Sequence, residues 1–464
     1  MNQTIPVATR NDTICAVATP PGSGAIAIVR LSGPGSLDIA FKIFRPFQEN
    51  LKKETIKSHH MYYGQIRSKD ELVDEVLFTY FKAPHSYTGE DSVEISCHGS
   101  EFIQQKLIEL LLQNGARFAE PGEYTMRAFL NGKLDLSQAE AVADLIASQS
   151  RSAHKMAMNQ MRGGFSEKIR ELRGKLVQFT SLIELELDFS EEDVEFADRG
   201  QLKQLVQKID RHLKTLIDSF TLGNVIKNGI PVAIIGEPNV GKSTLLNALL
   251  NEDKAIVSDI PGTTRDAIED VVNLNGVLFR FIDTAGIRET TDTIESLGIE
   301  RTFSKIENAE IVLLMVDASD NNIKKSISEI KDKIGDKKLL IIINKIDLAE
   351  KTNLEAIKSL YETVEIAARH KKNIKELIKK LRAIAGLGTI DLGDTIITNT
   401  RHYEALSKAW EAIQRVNNGM ENKIPSDFLA MDIREVLHYL GEISGEITND
   451  EILGNIFKNF CIGK

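Results

Sequence analysis

The sequence predicts a multidomain protein with an α+β N-terminal domain, followed by a discontinuous α-helical domain into which an α/β domain is inserted. Three observations predict it. Short β-rich runs mixed with glycine and proline fill residues 1–125. Long amphipathic repeats occupy residues 126–227 and return over 386–464, and between them residues 228–385 alternate strand and helix. A chain of 464 residues has room for about three domains, and 42% apolar residues is ordinary for globular cores.

In the first segment, Gly24-Ala25-Ile26-Ala27-Ile28-Val29-Arg30-Leu31 and Ser92-Val93-Glu94-Ile95-Ser96 read as strands, with a helix expected over Gly99–Asn114. Ser137-Gln138-Ala139-Glu140 has the spacing of a capping box, in which serine and glutamate satisfy each other's helix-end amides. Helical periodicity runs through about Leu187 and again from Leu202 to Leu222. Between them Asp188, Glu191, Glu192, Asp193 and Glu195 form an acidic loop, readable as a solvated loop or as a partner or metal site. The inserted segment carries the apolar strands Pro231–Ile235, Leu278–Ile282, Ile311–Val316 and Leu339–Ile343. Beyond residue 400, helices are expected over Tyr403–Val416, Phe428–Glu442 and Asp450–Phe460. Helices on both sides of an α/β insert imply one discontinuous helical domain, an arrangement tolerated where a domain's termini lie close together.

Composition narrows the function classes. A formal charge of −10 argues against broad non-specific nucleic-acid binding, so any nucleic acid must be met by a local patch or through a partner. No apolar run reaches membrane-spanning length, and the N-terminus has neither the basic start nor the apolar stretch of a secretory signal. Cys15, Cys97 and Cys461 are too few and too dispersed for a disulfide framework or a metal cluster. The expectation is a cytoplasmic protein with no membrane association.

The chemistry is concentrated in the inserted segment. Gly236-Glu237-Pro238-Asn239-Val240-Gly241-Lys242-Ser243 is a P-loop placed between a buried strand and a helix. Such a loop aims backbone N–H groups and one lysine at the β- and γ-phosphates and leaves a hydroxyl for Mg²⁺. Its glycines are needed because a Cβ would block the approach of the backbone. Asp283-Thr284-Ala285-Gly286 and Asn344-Lys345-Ile346-Asp347 follow in order. The Asp347 carboxylate can accept both N1–H and the exocyclic amine of guanine, a donor pair that adenine lacks, so the expected nucleotide is GTP. Asn239, Val240, Gly241, Lys242, Ser243 and Thr244 are the phosphate-side candidates. Lys242 should bridge the β- and γ-phosphates, with Ser243 and Thr264 as Mg²⁺ ligands and Asp283 holding the metal's water shell. Thr264 lies in Gly262-Thr263-Thr264-Arg265-Asp266, at the switch I position, and Gly286 offers its N–H to the γ-phosphate. Where Ras-like enzymes place a water-orienting glutamine, this chain has Ile287, so either catalysis is crippled or the polar group comes from elsewhere, and Glu289, Asp292 and Glu295 follow as three carboxylates that could supply it or be solvated switch residues.

Segments spread over nearly the whole length resemble the MnmE (TrmE) family of tRNA-modifying GTPases, whose G domain is of the Era/TrmE type. They are Ala18-Thr19-Pro20-Pro21-Gly22-Ser23-Gly24, Tyr87-Thr88-Gly89-Glu90-Asp91, Pro121-Gly122-Glu123-Tyr124, Arg127–Leu136 and the terminal Phe460-Cys461-Ile462-Gly463-Lys464. The resemblance implies a folate-binding-like N-terminal domain that forms a homodimer and an α/β P-loop G domain that hydrolyses GTP. It implies a partner flavoprotein, MnmG, that carries FAD and joins in a heterotetramer, and a tRNA whose wobble uridine is modified at C5. The one-carbon donor would be a tetrahydrofolate derivative, in its 5-formyl or 5,10-methylene form. By motif match, Arg30, Glu94, Lys133 and Lys464 would contact it, and basic groups suit its glutamate tail as a carboxylate suits its pterin donors. The resemblance further implies a K⁺ held by Asn239 and the Ser258–Thr263 loop, with Ser258, Ile260 and Thr263 as ligands, and Glu295 as the catalytic glutamate acting through water. Ser258, Thr263, Thr284 and Ala285 join the nucleotide contacts on the same basis. Ala367-Ala368-Arg369 stands where Ser-Ala-Lys/Arg is usual, and since base contact there is mostly from backbone amides, a mild loss of affinity is expected. Cys461 is either a nucleophile or a small packing residue.

Two other functions share these motifs. Ribosome-assembly GTPases of the Era or Der kind add a KH domain or a second G domain, and neither a GXXG loop in suitable context nor a second P-loop is present. A GTP-gated scaffold without chemistry of its own is the other. The glycines of Gly22-Ser23-Gly24 do not open a helix after a strand, which argues against a dinucleotide site.

Overall fold

The computed structural model describes residues 11–69, 71–188, 199–252, 270–282, 306–320, 323–335, 337–348, 357, 359–385, 396–448, 450–458 and 460–463. The chain folds as two compact units, one of Met1–Ile146, Met158–Arg211 and Ala405–Lys464, the other of Ala147–Ala157 and His212–Glu404.

The first unit begins with a seven-stranded sheet. Its strands are β1 (Ile14–Val17), β2 (Ile26–Ser32), β3 (Phe44–Pro46), β4 (Met61–Ser68), β5 (Glu71–Phe81), β6 (Ser92–His98) and β7 (Arg117–Phe118), in the order β3-β4-β5-β6-β2-β1-β7. Neighbours are antiparallel except β1 and β7, which are parallel. Alternation assigns Ala27, Val29, Leu31, Val76, Phe78, Tyr80, Val93, Ile95 and Cys97 to one face, where α1 (Ser36–Ile43) and α2 (Glu101–Gln113) bury them. On the other face β1 is covered by Tyr124 of α3 (Glu123–Leu130), which packs with Ile14 and Ala16. The β2-β6-β5-β4 part of that face lies open, with Ile26 67%, Met61 63%, Tyr63 53% and Leu77 38% exposed. Burial pushes the Cys15 thiol up to about 12, and burial followed by Asp74 pushes Cys97 up to about 11, so both are inert packing groups.

Helices complete the unit. They include α4 (Leu136–Ala147), the end of α5 (Arg151–Met161), α6 (Gly164–Asp188), the start of α7 (Arg199–Asn228), most of α11 (Thr400–Glu421), α12 (Ser426–Ser444) and α13 (Asp450–Phe457). The capping box is not where its spacing predicts. Asp135 Oδ1 accepts the Gln138 N–H at 2.8 Å and Gln138 Oε1 accepts the Asp135 N–H at 2.9 Å. A carboxylate is the stronger acceptor, and Ser137 is buried inside the helix with Gln160 Nε2 donating to its Oγ at 3.2 Å. Arg173 Nε donates to the Leu437 carbonyl at 3.3 Å, and Arg434 Nε to Glu184 at 2.9 Å, tying α6 to α12. Trp410 Nε1 donates to Asp210 at 2.8 Å and ties α11 to α7. The last helix ends at Phe457 rather than Phe460, and its apolar face docks. Leu453 and Phe457 are buried with Met126, Leu136 and Ala139, and Ile456 and Phe460 pack against the same cluster. Of the predicted acidic loop, residues 189–198 lie outside the described residues.

The second unit contains a six-stranded sheet made of β8 (Ile230–Ile235), β9 (Asp270–Leu274), β10 (Val277–Phe281), β11 (Ile311–Asp317), β12 (Lys338–Asn344) and β13 (Thr363–Glu365). Their order is β13-β12-β11-β8-β10-β9, parallel except for the β9–β10 hairpin. Helices α8 (Lys242–Glu252), α9 (Ile323–Ile334) and α10 (Ile374–Ile384) accompany it, and two apolar clusters line its faces. The near-continuous burial of β8, β11 and β12 is what a parallel sheet covered on both faces requires. From β8 the chain runs to the β9–β10 hairpin on one side and then crosses from β10 to β11 on the other, so the strand order reverses at β8. The C-terminal end of β8 is therefore the topological switch point where α/β sheets bind ligands.

Candidate functional site

The P-loop leaves β8 at that switch point. Gly236 has φ +148°, and a Cβ there would fall 2.2 Å from the Met315 carbonyl oxygen. Gly241 has φ +100°, and its Cβ would fall 2.5 Å from Asn344 Nδ2. Both positions therefore require glycine for conformation and for space. Val240 is buried and anchors the loop in the sheet's core, while Asn239 is exposed with φ 61°. The loop feeds directly into α8, so the helix's unpaired N–H groups and positive end face the same place. Lys242 Nζ folds over the loop, donating to the Gly236 and Glu237 carbonyls at 2.9 and 2.8 Å. Ser243 and Thr244 stand in the first turn of α8.

The Asn-Lys-x-Asp tetrad begins at the end of β12. Asn344 is buried, donates Nδ2 to the Val240 carbonyl at 2.8 Å and accepts the Ala368 N–H on Oδ1 at 3.0 Å. It braces the P-loop against the Ala367-Ala368-Arg369 turn, a role that sequence spacing does not reveal. Lys345 has φ 62° and its Nζ lies 2.7 Å from Asp317 Oδ2. Burial raises the Asp317 carboxyl, but hydrogen bonds from Lys345 and from Ser319 outweigh it and hold the group below its usual value. Asp347 is exposed, with His370 Nε2 at 3.4 Å from Oδ2. P-loop, tetrad and the 367–369 turn are thus brought together by strands β8 and β12. Ser258, Ile260, Thr263, Thr264, Asp283, Thr284, Ala285, Gly286 and Glu295 lie outside the described residues.

A second constellation sits in the first unit. Arg30 on β2 faces Glu94 on β6, its register partner. Glu94 Oε1 accepts from Arg30 Nε at 2.9 Å and lies 2.8 Å from Nη2. Arg30 Nη1 donates to the Gly463 carbonyl at 3.3 Å. The guanidinium lies 5.8 Å from the Tyr87 ring centroid and 5.7 Å from that of Tyr124. Tyr87 and Tyr124 belong to quoted motifs, but nothing in their spacing shows that they flank Arg30. Burial raises both phenols, so they stay neutral. Lys133 donates to the Pro84 carbonyl at 3.0 Å, on the loop that carries Tyr87. Cys461 is exposed, its carbonyl accepting the Gly122 N–H at 3.4 Å, and Lys464 lies outside the described residues.

Beneath this constellation lies a charged network. Arg127 Nη2 donates to Asp12 at 2.6 Å and to Glu123 at 2.9 Å, and its Nη1 to Glu90 at 3.2 Å. Arg117 Nη2 donates to Glu123 at 2.6 Å. Glu123 is fully buried. Burial alone would raise its carboxyl, but the hydrogen bond from Arg117, the Glu120 N–H and both guanidiniums bring it below the ordinary value of 4.5. Asp12 is lowered below 3.8 against its own burial by the same two arginines.

Comparison with known proteins agrees with this geometry. The model for the GTP-binding protein TrmE N-terminus matches residues 13–133, and that for the MnmE helical domain matches residues 136–461. The tRNA modification GTPase MnmE of Bacteroides thetaiotaomicron is 56% identical over 98% of this chain and 99% of that protein. The proteins of the same name from Christiangramia forsetii and Cytophaga hutchinsonii are 55% and 50% identical, over 98% and 99% of this chain and 99% and 100% of theirs. Identity at this level along the whole length, together with a P-loop and an Asn-Lys-x-Asp tetrad joined in one site, places this chain in the MnmE (TrmE) family of tRNA modification GTPases.

Proposed function

We propose that this chain is a K⁺-activated GTP hydrolase that works with an MnmG-type flavoprotein to modify C5 of the wobble uridine in certain tRNAs, using a folate one-carbon unit. The observation that carries the proposal is the single brace of Asn344, which locks the phosphate-binding loop to the turn beside the base-reading Asp347. GTP hydrolysis itself rests on the family and on that site.

In the site, Lys242 would exchange the Gly236 and Glu237 carbonyls for β- and γ-phosphate oxygens, losing no hydrogen bonds. The amides of residues 239–244 would hold the phosphates in place, and the Ser243 hydroxyl is positioned at the helix start as a ligand for Mg²⁺. Bound Mg²⁺ and K⁺ would supply the positive charge that an arginine finger supplies in other GTPases. Asn239 fits a cation role because it is exposed on the loop with its left-handed backbone turning the side chain out of the core. Glu295 would orient the attacking water, with Thr264 and Asp283 completing the Mg²⁺ surroundings. GTP turnover should be several-fold faster in KCl than in NaCl at matched ionic strength, and equal rates remove the cation from the mechanism. Glu295→Ala should lower kcat by about 10²-fold with little change in GTP affinity. Normal turnover by that variant would move the catalytic role to another switch carboxylate.

In the first unit, the Arg30–Glu94 pair suits a folate. Only Oε1 of Glu94 is engaged among the described residues, which leaves Oε2 for pterin donors, and the exposed Tyr87 ring offers a flat surface. Arg30, Lys133 and Lys464 would attract the glutamate tail. The exposed apolar side chains Ile26, Met61, Tyr63 and Leu77 share one open sheet face beside this pair, as a homodimer contact would need. This reading keeps three domains (1–125; 126–227 with 386–464; 228–385). It also keeps a cytoplasmic location as part of the proposal; no helix among the described residues is long and apolar enough to cross a membrane. Mass spectrometry of wobble nucleosides from cells lacking this protein tests the whole: the C5 modification should disappear, and an unchanged nucleoside profile refutes it.

A further inference from the structure

A chain with a formal charge of −10 can meet a polyanion only through a local excess of basic groups, and one helix carries such an excess. No Asp or Glu occurs between Asp144 and Glu167, and α5 falls in that gap with Arg151, His154 and Lys155, followed by Arg162. The Arg162 N–H donates to the Met158 carbonyl at 3.0 Å, so this residue continues the last turn. On helical spacing Arg151, Lys155 and Arg162 fall within about 40° of one another, in a row about 16 Å long, with His154 at its edge. All four side chains are exposed, whereas Ala157, on the other side of the helix, is buried. Among the described residues no carboxylate stands at ion-pair distance from any of the four.

This arrangement costs the helix something that an ordinary solvated face avoids. A cation in the first turn opposes the helix dipole, and Arg151 and Lys155 repel each other across one turn. On other surface helices the lysines have acidic neighbours: Lys106 pairs with Glu109 on α2, Lys168 and Lys175 with Glu171 on α6, and Lys214 with Asp218 on α7. Although Ala157 is the only buried residue of α5, hydrogen bonds hold the helix at its ends and back. Ser150 Oγ accepts the Ala153 N–H at 3.0 Å, and Asn273 Nδ2 donates to the Gln149 carbonyl at 3.1 Å. Gln160 Nε2 donates to the Ser137 carbonyl at 3.0 Å, and Gln138 Nε2 to the Met161 carbonyl at 3.1 Å. The basic row is thus presented outward on a braced helix.

We propose that this row is a docking surface for the phosphate backbone of the tRNA, with Arg151, Lys155 and Arg162 as its phosphate contacts. The proposal rests on the reading of this chain as part of a tRNA-modifying system. Charge complementarity selects the occupant: one strand of a nucleic acid presents a charge about every 3.4 Å of helix axis, so the row spans several phosphates. An acidic protein surface fits less well. Protein interfaces centre on aromatic or apolar anchors and are poor in lysine, while residues 151–162 contain no Phe, Tyr, Trp, Leu, Ile or Val, and their three methionines are half-buried. Phosphate contacts carry no sequence information, so the row positions the RNA and leaves base selection to other groups.

Fluorescence anisotropy with the full-length protein and an end-labelled tRNA transcript carrying a wobble uridine tests this. The triple variant Arg151→Gln, Lys155→Gln, Arg162→Gln should bind at least about tenfold more weakly at about 0.1 M salt, and the slope of log K against log salt should fall by about 2–3. Arg151→Lys with Arg162→Lys should bind within about twofold of wild type, because lysine also serves phosphate as a point charge. Lys203→Gln, Lys208→Gln, Lys214→Gln removes the same charge from α7 and should change affinity by less than about twofold. GTP turnover of the first triple variant should match wild type, and its thermal stability should hold or rise as the like-charge repulsion goes. Unchanged affinity and slope in that variant, or equal weakening by the α7 variant, overturns the proposal. So does retained RNA affinity with lost binding to the flavoprotein partner, which would make the row a protein contact. If a deletion strain loses the C5 modification while the first triple variant binds RNA as wild type does, only the basic row falls. If the deletion strain's wobble nucleosides are unchanged, the tRNA reading falls and the occupant of the row with it.

Discussion

The two constellations in this molecule are built in opposite ways. The phosphate loop is eight consecutive residues whose function resides in backbone N–H groups, with two glycines that no other residue can replace. The Arg30 cluster is made of side chains drawn from β2, β6, the 84–91 loop and α3, joined by the Gly463 carbonyl at the chain's end, 433 positions from Arg30. A backbone site is fixed by local conformation and one brace, whereas a side-chain site is fixed only when distant elements have packed. The first should tolerate perturbation elsewhere in the chain, and the second should not.

The largest expected effect tests that dependence on distant packing. Gly463 is buried with φ +95°, and a Cβ there would fall 2.3 Å from the Val17 carbonyl oxygen, so the tail is seated against β1. Removing residues 461–464 should abolish tRNA modification in a complemented deletion strain and leave basal GTP turnover near normal. Full restoration of modification by the truncated protein would show that the Arg30 cluster does not need its tail.

The converse substitution is Lys242→Ala, which should lower kcat/KM for GTP by about 10²–10³-fold while the unfolding of the first unit stays unchanged. A loss of thermal stability in that unit would break the distinction between the two sites.

Glu123→Ala sharpens it from the other side. Removing a buried carboxylate leaves Arg117 and Arg127 short of a partner, at a cost of about 3 kcal/mol in denaturant unfolding. Nucleotide affinity should stay within about twofold of wild type. A ΔΔG near zero would mean that Glu90 and Asp12 alone satisfy both arginines.

The smallest effect is in acid. Glu123 and Asp12 have carboxyls lowered on folding, so they stabilise the first unit above their unfolded values of 4.5 and 3.8. That contribution is lost as pH falls below about 4.5 through the depressed folded values, and it is flat above. Monitored by Trp410, whose indole bonds to Asp210 in this unit, wild type should lose stability below pH 4.5 more steeply than Glu123→Gln. Parallel curves would assign the acid sensitivity elsewhere.

Legibility followed the same division. The strand–loop–helix frame and the apolar runs of four of the six α/β strands could be read from spacing, because each depends on neighbours in sequence; β9 and β13 were not read. The capping pair moved from Ser137–Glu140 to Asp135–Gln138 because burial of Ser137 and the stronger acceptor at Asp135 outweigh the motif. Arg30, Glu94 and Lys133 were reachable only through family resemblance, since on their own they are ordinary charged side chains. Tyr87 and Tyr124 gave no signal of their place beside Arg30, because an aromatic ring acquires a role only from what it faces.

By itself the sequence determined the nucleotide chemistry: glycines where a Cβ cannot fit, a lysine at the helix start, and a carboxylate that can accept two donors from guanine. Tertiary structure alone decided which side chains share a site. Asn344 became a brace, Glu94 the partner of Arg30, and the final residues a wall of that cluster. Hydrogen bonds and ion pairs act over about 3 Å, and only packed strands and helices bring residues hundreds of positions apart to that distance.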